Sequence, residues 1–121
     1  MPILASSLIF AYLHKDNPNI NIMAYINIFL IGIIWGYYFI KTNDLYMPIG
    51  MHFAWNFIQG PIMGFNVSGI NFLGLAKSQI VNEGILVGNA FGPESSILIT
   101  ILLVILIAFM KKMINTKDSV V

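Results

Sequence analysis

The sequence contains no cysteine and no arginine, and charged residues make up only 9% of its 121 positions. Without cysteine, disulfides, thiolate metal sites and thiol nucleophiles are all excluded, and cysteine usage leaves the redox compartment open. Six scattered lysines and a net charge of +1 cannot form the clustered basic face that phosphate neutralisation needs, so a nucleic-acid partner is excluded. With 58% hydrophobic residues and a mean hydropathy of +0.83, too little polar surface remains to solvate a soluble domain of this size. The composition is that of an integral membrane protein, with lipid as its first partner.

The chain is organised around Met47 to Gly64, MPIGMHFAWNFIQGPIMG. At helical pitch His52, Asn56 and Gln59 recur at i, i+4 and i+7 on one face with Met63, whereas Gly50, Ala54, Phe57 and Ile58 point the other way. A polar group in hydrocarbon costs several kcal/mol unless it is satisfied, so this stripe is expected to face protein or a small wet cavity. Pro48 suits the first helical turn. Pro61 removes the hydrogen bond that the Phe57 carbonyl would accept and should kink or end the helix.

Upstream, Met1 to Leu13 is apolar but shorter than the roughly 20 residues a spanning helix needs, and it reads as the end of a membrane helix whose beginning is absent. It has neither the basic n-region nor the cleavage site of a signal peptide. Ser7, Phe10 and His14 share one of its faces. KDNPNIN is a turn. Ile22 to Ile40 is apolar apart from Asn27, with Trp35, Tyr37 and Tyr38 placed as an interfacial aromatic belt and Gly32 and Gly36 as a small-xxx-small pair. From Phe65 to Gly92 periodicity dissolves into Gly, Asn and Ser, as in an interfacial or re-entrant loop. Pro93 and Glu94 suit the N-terminus of a last span from Ser95.

The fold class expected is therefore all-α, a polytopic transmembrane helix bundle of three full spans plus the end of a truncated one. Its helices fall at about 1–14, 22–40, 45–64 and 95–112, with an irregular loop over 65–94. Lys41, Lys111, Lys112 and Lys117 on one side against Lys15 and Lys77 on the other place the C-terminus in the cytoplasm.

FxxxH, formed by Phe10 and His14 in SSLIFAYLH, followed one span later by HxxxN, formed by His52 and Asn56 in MPIGMHFAWNF, resembles the CPBP intramembrane protease family. That family, also called Abi, groups CAAX prenyl endopeptidases with bacterial proteins of bacteriocin processing and self-immunity. GNAFGPESS before a last apolar helix is similar to bacterial members, so the resemblance extends over nearly the whole chain. It implies a bacterial plasma-membrane endopeptidase acting on a peptide or prenylated peptide. On the same resemblance a glutamate and His14 would activate water, while His52 and Asn56 would hold the oxyanion. The resemblance also implies His14 and His52 as possible ligands of zinc, the one cofactor the family suggests.

The family's first motif, a Glu-Glu pair followed by three residues and Arg, is not in the sequence. Glu83 and Glu94 are isolated and follow the second motif. The expectation is a C-terminal part of such a protease that needs upstream helices to act. A noncatalytic self-immunity or scaffold protein of the same fold is the alternative. A bis-histidine haem on His14 and His52 is a third class, with no further residue to support it. Straight helices would set His14 and His52 at opposite depths, and only a tilted or shortened helix brings them together.

Overall fold

A computed structural model describes residues 2–118, with side chains up to residue 112. Lys117, used above for orientation, lies outside the residues with described side chains. The regular secondary structure of the described residues is helical, with three isolated β-bridges and no strand among them.

Helix α1 spans Pro2–Tyr12 and packs along α2, Ile22–Thr42. The close approach is at the small residues. A Cβ on Gly32 would meet the Ser7 Cβ at 3.0 Å, and one on Gly36 would meet Ile3 Cγ2 at 3.2 Å. The two contacts run in opposite senses along the chain, so α1 and α2 are antiparallel. α2 is capped at both ends by asparagine. Asn21 accepts from the Ala24 N–H at 2.8 Å, and Asn43, left-handed at φ 52°, donates its N–H to Phe39 O at 2.7 Å. Among the described residues α2 is the helix long and apolar enough to cross a membrane, at 21 residues.

The third helical segment runs over 46–62, inside the expected 45–64, but not as one regular helix. Regular α3 covers Tyr46–Phe57, 12 residues, and passes into a π-helical turn at Ile58–Ile62. Pro61 is the cause. It offers no N–H to the Phe57 carbonyl, and the ladder widens so that Met63 N bonds to Ile58 O at 2.9 Å and Phe65 N to Gln59 O at 3.0 Å. α4, Ile97–Asp118, follows a 3₁₀ turn at Pro93–Ser95.

Between the π turn and α4 the chain is irregular, as expected, but it is not a loose loop. Phe91 is fully buried and joins Ala11, Ala24 and Ile28 in the core, with Phe10, Ile20, Tyr25 and Phe29 against it. The tract is tied to the turn after α1. Asn17 Nδ2 donates to Ser68 O at 2.9 Å and Asn89 Nδ2 to Asn19 O at 3.0 Å.

Asn27, the polar exception in α2, fastens α4. Its amide nitrogen donates to Glu94 O at 2.6 Å and Ser96 O at 2.9 Å, and its oxygen accepts from Thr100 Oγ1 at 2.7 Å. An amide satisfied at both ends is how apolar helices acquire a fixed register without a hydrophobic force between them.

Candidate active site

Helix α1 ends at Tyr12, and the turn beyond it folds His14 back over Phe10. His14 Nδ1 lies 2.7 Å from Phe10 O. A carbonyl can only accept, so Nδ1 carries the hydrogen, and in the neutral imidazole Nε2 keeps its lone pair. His14 is thus held as a hydrogen-bond acceptor. The Phe10 ring packs edge-on against His14 at 4.8 Å, against Trp35 at 5.6 Å and against His52 at 5.9 Å. Trp35 from α2 lies over His52 at 4.7 Å with 34° between the ring planes. The two histidines, set apart in depth by straight-helix reasoning, are brought together on one phenylalanine.

Within α2, Trp35 turns its ring onto Phe10 and His52, a contact that the belt pattern alone did not indicate.

On α3 the polar stripe divides in two. His52 and Asn56 are half-buried and make no hydrogen bond among the described residues. Gln59 is buried and committed, donating through Nε2 to Asn66 O at 2.7 Å and to Glu94 Oε2 at 2.7 Å. The opposite face, with Gly50, Ala54, Phe57 and Ile58, is exposed as an outer surface of the helix.

Glu94 was expected to stand alone at a helix N-terminus. It is buried, accepting from Gln59 and, at Oε1, from the Ser68 N–H at 3.2 Å. Burial pushes its carboxyl above the ordinary value of 4.5, against the opposing pull of its own backbone, Gln59, Ser68 and the Trp55 side chain. Gly92 makes room for it: at φ 127°, a Cβ there would strike Glu94 Oε2 and Asn66 O. Sequence reasoning missed this pairing, although Gln59 at i+7 from His52 marked the stripe it joins. Gln59 lies about 10 Å along the helix from His52, so Glu94 belongs to the packing below the histidines.

The fit to zinc can be tested on the donors. His14 and His52 are two imidazoles, and the described residues contain no group of three or more His, Cys, Asp or Glu able to hold a metal. A catalytic zinc takes three protein ligands. These residues alone do not fit it, and no step below runs through a metal.

An imidazole acceptor beside an imidazole and a carboxamide, at the meeting of apolar helices, defines a candidate hydrolytic site in a membrane-type helical protein. Residues 1–58 are similar to the family model described as Type II CAAX prenyl endopeptidase Rce1-like, a likeness consistent with the CPBP resemblance of the two motifs. The match lies in the N-terminal part of the chain and ends just past Asn56. It includes FxxxH and HxxxN and excludes the irregular tract and α4, which the motif reading had taken into the resemblance. No curated protein and no solved structure matches the chain. The family is membrane-embedded and protease-like, and α2 supplies a helix able to cross a bilayer.

Proposed function

We propose that the chain carries the histidine and asparagine half of a CPBP-type intramembrane endopeptidase. It would hydrolyse a membrane-presented peptide, prenylated or not, in a bacterial plasma membrane. The observation that supports this best is the pair His52 and Asn56, one helical turn apart and both without a hydrogen bond among the described residues, beside the free Nε2 of His14. A water hydrogen-bonded to His14 Nε2 adds to the scissile carbonyl carbon as a carboxylate takes its proton. The carbonyl electron pair moves to oxygen, where the His52 N–H and the Asn56 amide hold it. The C–N bond then breaks, and the carboxylic acid returns its proton to the leaving amine. Glu94 is engaged by Gln59 and Ser68, and Glu83 Oε1 accepts from Ala90 N at 3.0 Å on an exposed turn. The carboxylate would therefore come from an EExxxR helix that this sequence does not include.

The test is cleavage of a prenylated CAAX peptide in detergent by the chain alone and with an EExxxR helix of a related protein fused upstream. Cleavage by the fusion and loss of it in His14→Ala at equal folded yield are expected. Cleavage by the unfused chain would sink the requirement for an external carboxylate. No cleavage by the folded fusion would favour a noncatalytic immunity or scaffold protein, a reading that the missing glutamate pair supports.

In the membrane, α2, α3 with its π turn, and α4 form the crossing segments of a polytopic bundle, with the C-terminus cytoplasmic. Cysteines at positions 78 and 117 report this. An impermeant reagent on intact cells is expected to modify 78 and spare 117, and the opposite pattern inverts the orientation.

A further inference from the structure

We propose that the indole N–H of Trp35 is a third donor of this site, directed to the same carbonyl oxygen that His52 and Asn56 hold. The inference rests on the oxyanion reading above. Trp35 Nε1 is shielded from solvent and has no hydrogen-bond partner among the described residues. A buried indole N–H usually finds an acceptor, and leaving one unpaired costs about 1–3 kcal/mol. A phenylalanine would place an aromatic ring between Phe10 and His52 without that cost, so the nitrogen calls for an acceptor the helices do not provide.

Its neighbours say which one. An indole can only donate, so a partner must be an oxygen with a free lone pair. Trp35 lies over His52, and both rings carry their N–H bonds in plane. The two rings lie 4.7 Å apart between centres with 34° between their planes, so an oxygen held by the His52 ring sits beside the indole as well. Toward His14, by contrast, Phe10 intervenes, with its ring against each of them. Trp35 therefore groups with the residues that hold the oxyanion and not with the one that receives water. An oxygen gaining charge in the transition state can accept from all three donors, and the Trp35 and His52 rings are packed against Phe10 and each other.

The two tryptophans, Trp35 and Trp55, make the test direct. The full chain, with ¹⁵N-labelled tryptophan in detergent micelles, gives two indole N–H signals, assigned through Trp55→Phe. The probe is a tetrapeptide aldehyde, whose hydrate presents a tetrahedral carbon bearing hydroxyl oxygens. Binding is expected to move the Trp35 proton downfield and perturb the His52 ring signals. Trp35→Phe is expected to weaken the probe about 5- to 10-fold, the range of one neutral hydrogen bond. Probe binding that shifts His52 and leaves the Trp35 N–H in place overturns this inference while the oxyanion reading stands. Failure to bind, or binding that moves neither, overturns both. The wild-type spectrum decides even where Trp35→Phe does not fold.

Discussion

Asn56→Ala is expected to lower kcat about 100- to 1000-fold, or about 2.7–4 kcal/mol of transition-state stabilisation, in the fusion carrying an EExxxR helix, with folding unchanged. The Asn56 side chain makes no hydrogen bond among the described residues, so its removal orphans no buried group of theirs. Alanine is also the better helix former, and α3 should keep its helicity. Gln59→Ala is the contrast. It is on the same stripe, but it removes the donor to Asn66 O and Glu94 Oε2, and its effect should fall on thermal stability before turnover. The pair is read by kcat at saturating peptide and by melting in detergent. Full turnover in Asn56→Ala would end the oxyanion role, and a melting loss as large as that of Gln59→Ala would make Asn56 a packing residue instead.

That division of one stripe into a reactive and a structural part marks where sequence pattern stops being informative. Period 3.6 placed His52, Asn56 and Gln59 on one face and lipid-suited residues on the other, and both are found. What periodicity cannot report is which long-range partner each side chain meets. Glu94 reaches Gln59 across 35 residues of irregular chain, and Phe91 enters the core from the same tract. Neither has a local signal, because Gly, Asn and Ser at 65–92 describe a backbone satisfied by side-chain caps and bridges, not by a repeating ladder.

The boundaries of α2 were legible because apolar length and asparagine caps agree. Pro61 was expected to kink or end the third helix, and it does so by changing its geometry: from Ile58 the segment continues as a π turn. Trp35 was read from its position near the end of an apolar run. Its packing against Phe10 and His52 comes from two other segments, and a single-segment pattern holds no trace of them. His14 and His52 had been set apart by assuming that each helix runs to its motif residue. α1 instead ends two residues before His14, and the turn lays the imidazole over Phe10.

Stability should fall as pH rises, and Glu94 should be the reason. Burial raises its carboxyl pKa in the fold, so the folded chain binds this proton more tightly than the unfolded chain does. The stability tied to that difference is fully present below the ordinary value of 4.5 and is lost as pH climbs through the raised one. Ionisation does not by itself break the clamp, since a carboxylate still accepts from Gln59 and Ser68, but it places a charge where water is largely excluded. Melting temperatures in detergent from pH 4.5 to 8.5 are expected to decline in the wild type. Glu94→Gln should flatten the profile. It also loses one acceptor, because an amide NH₂ must face either Ser68 N–H or Gln59 Nε2, so the variant should start below the wild type at low pH and close the gap as pH rises. Glu94→Ala should be worse at every pH, by about 3 kcal/mol. It leaves the Ser68 N–H without its acceptor and opens space under the backbone that Asn27 holds. A wild-type profile that rises with pH, or one equally steep in Glu94→Gln, would assign the titration to another group and leave Glu94 as a clamp without a proton.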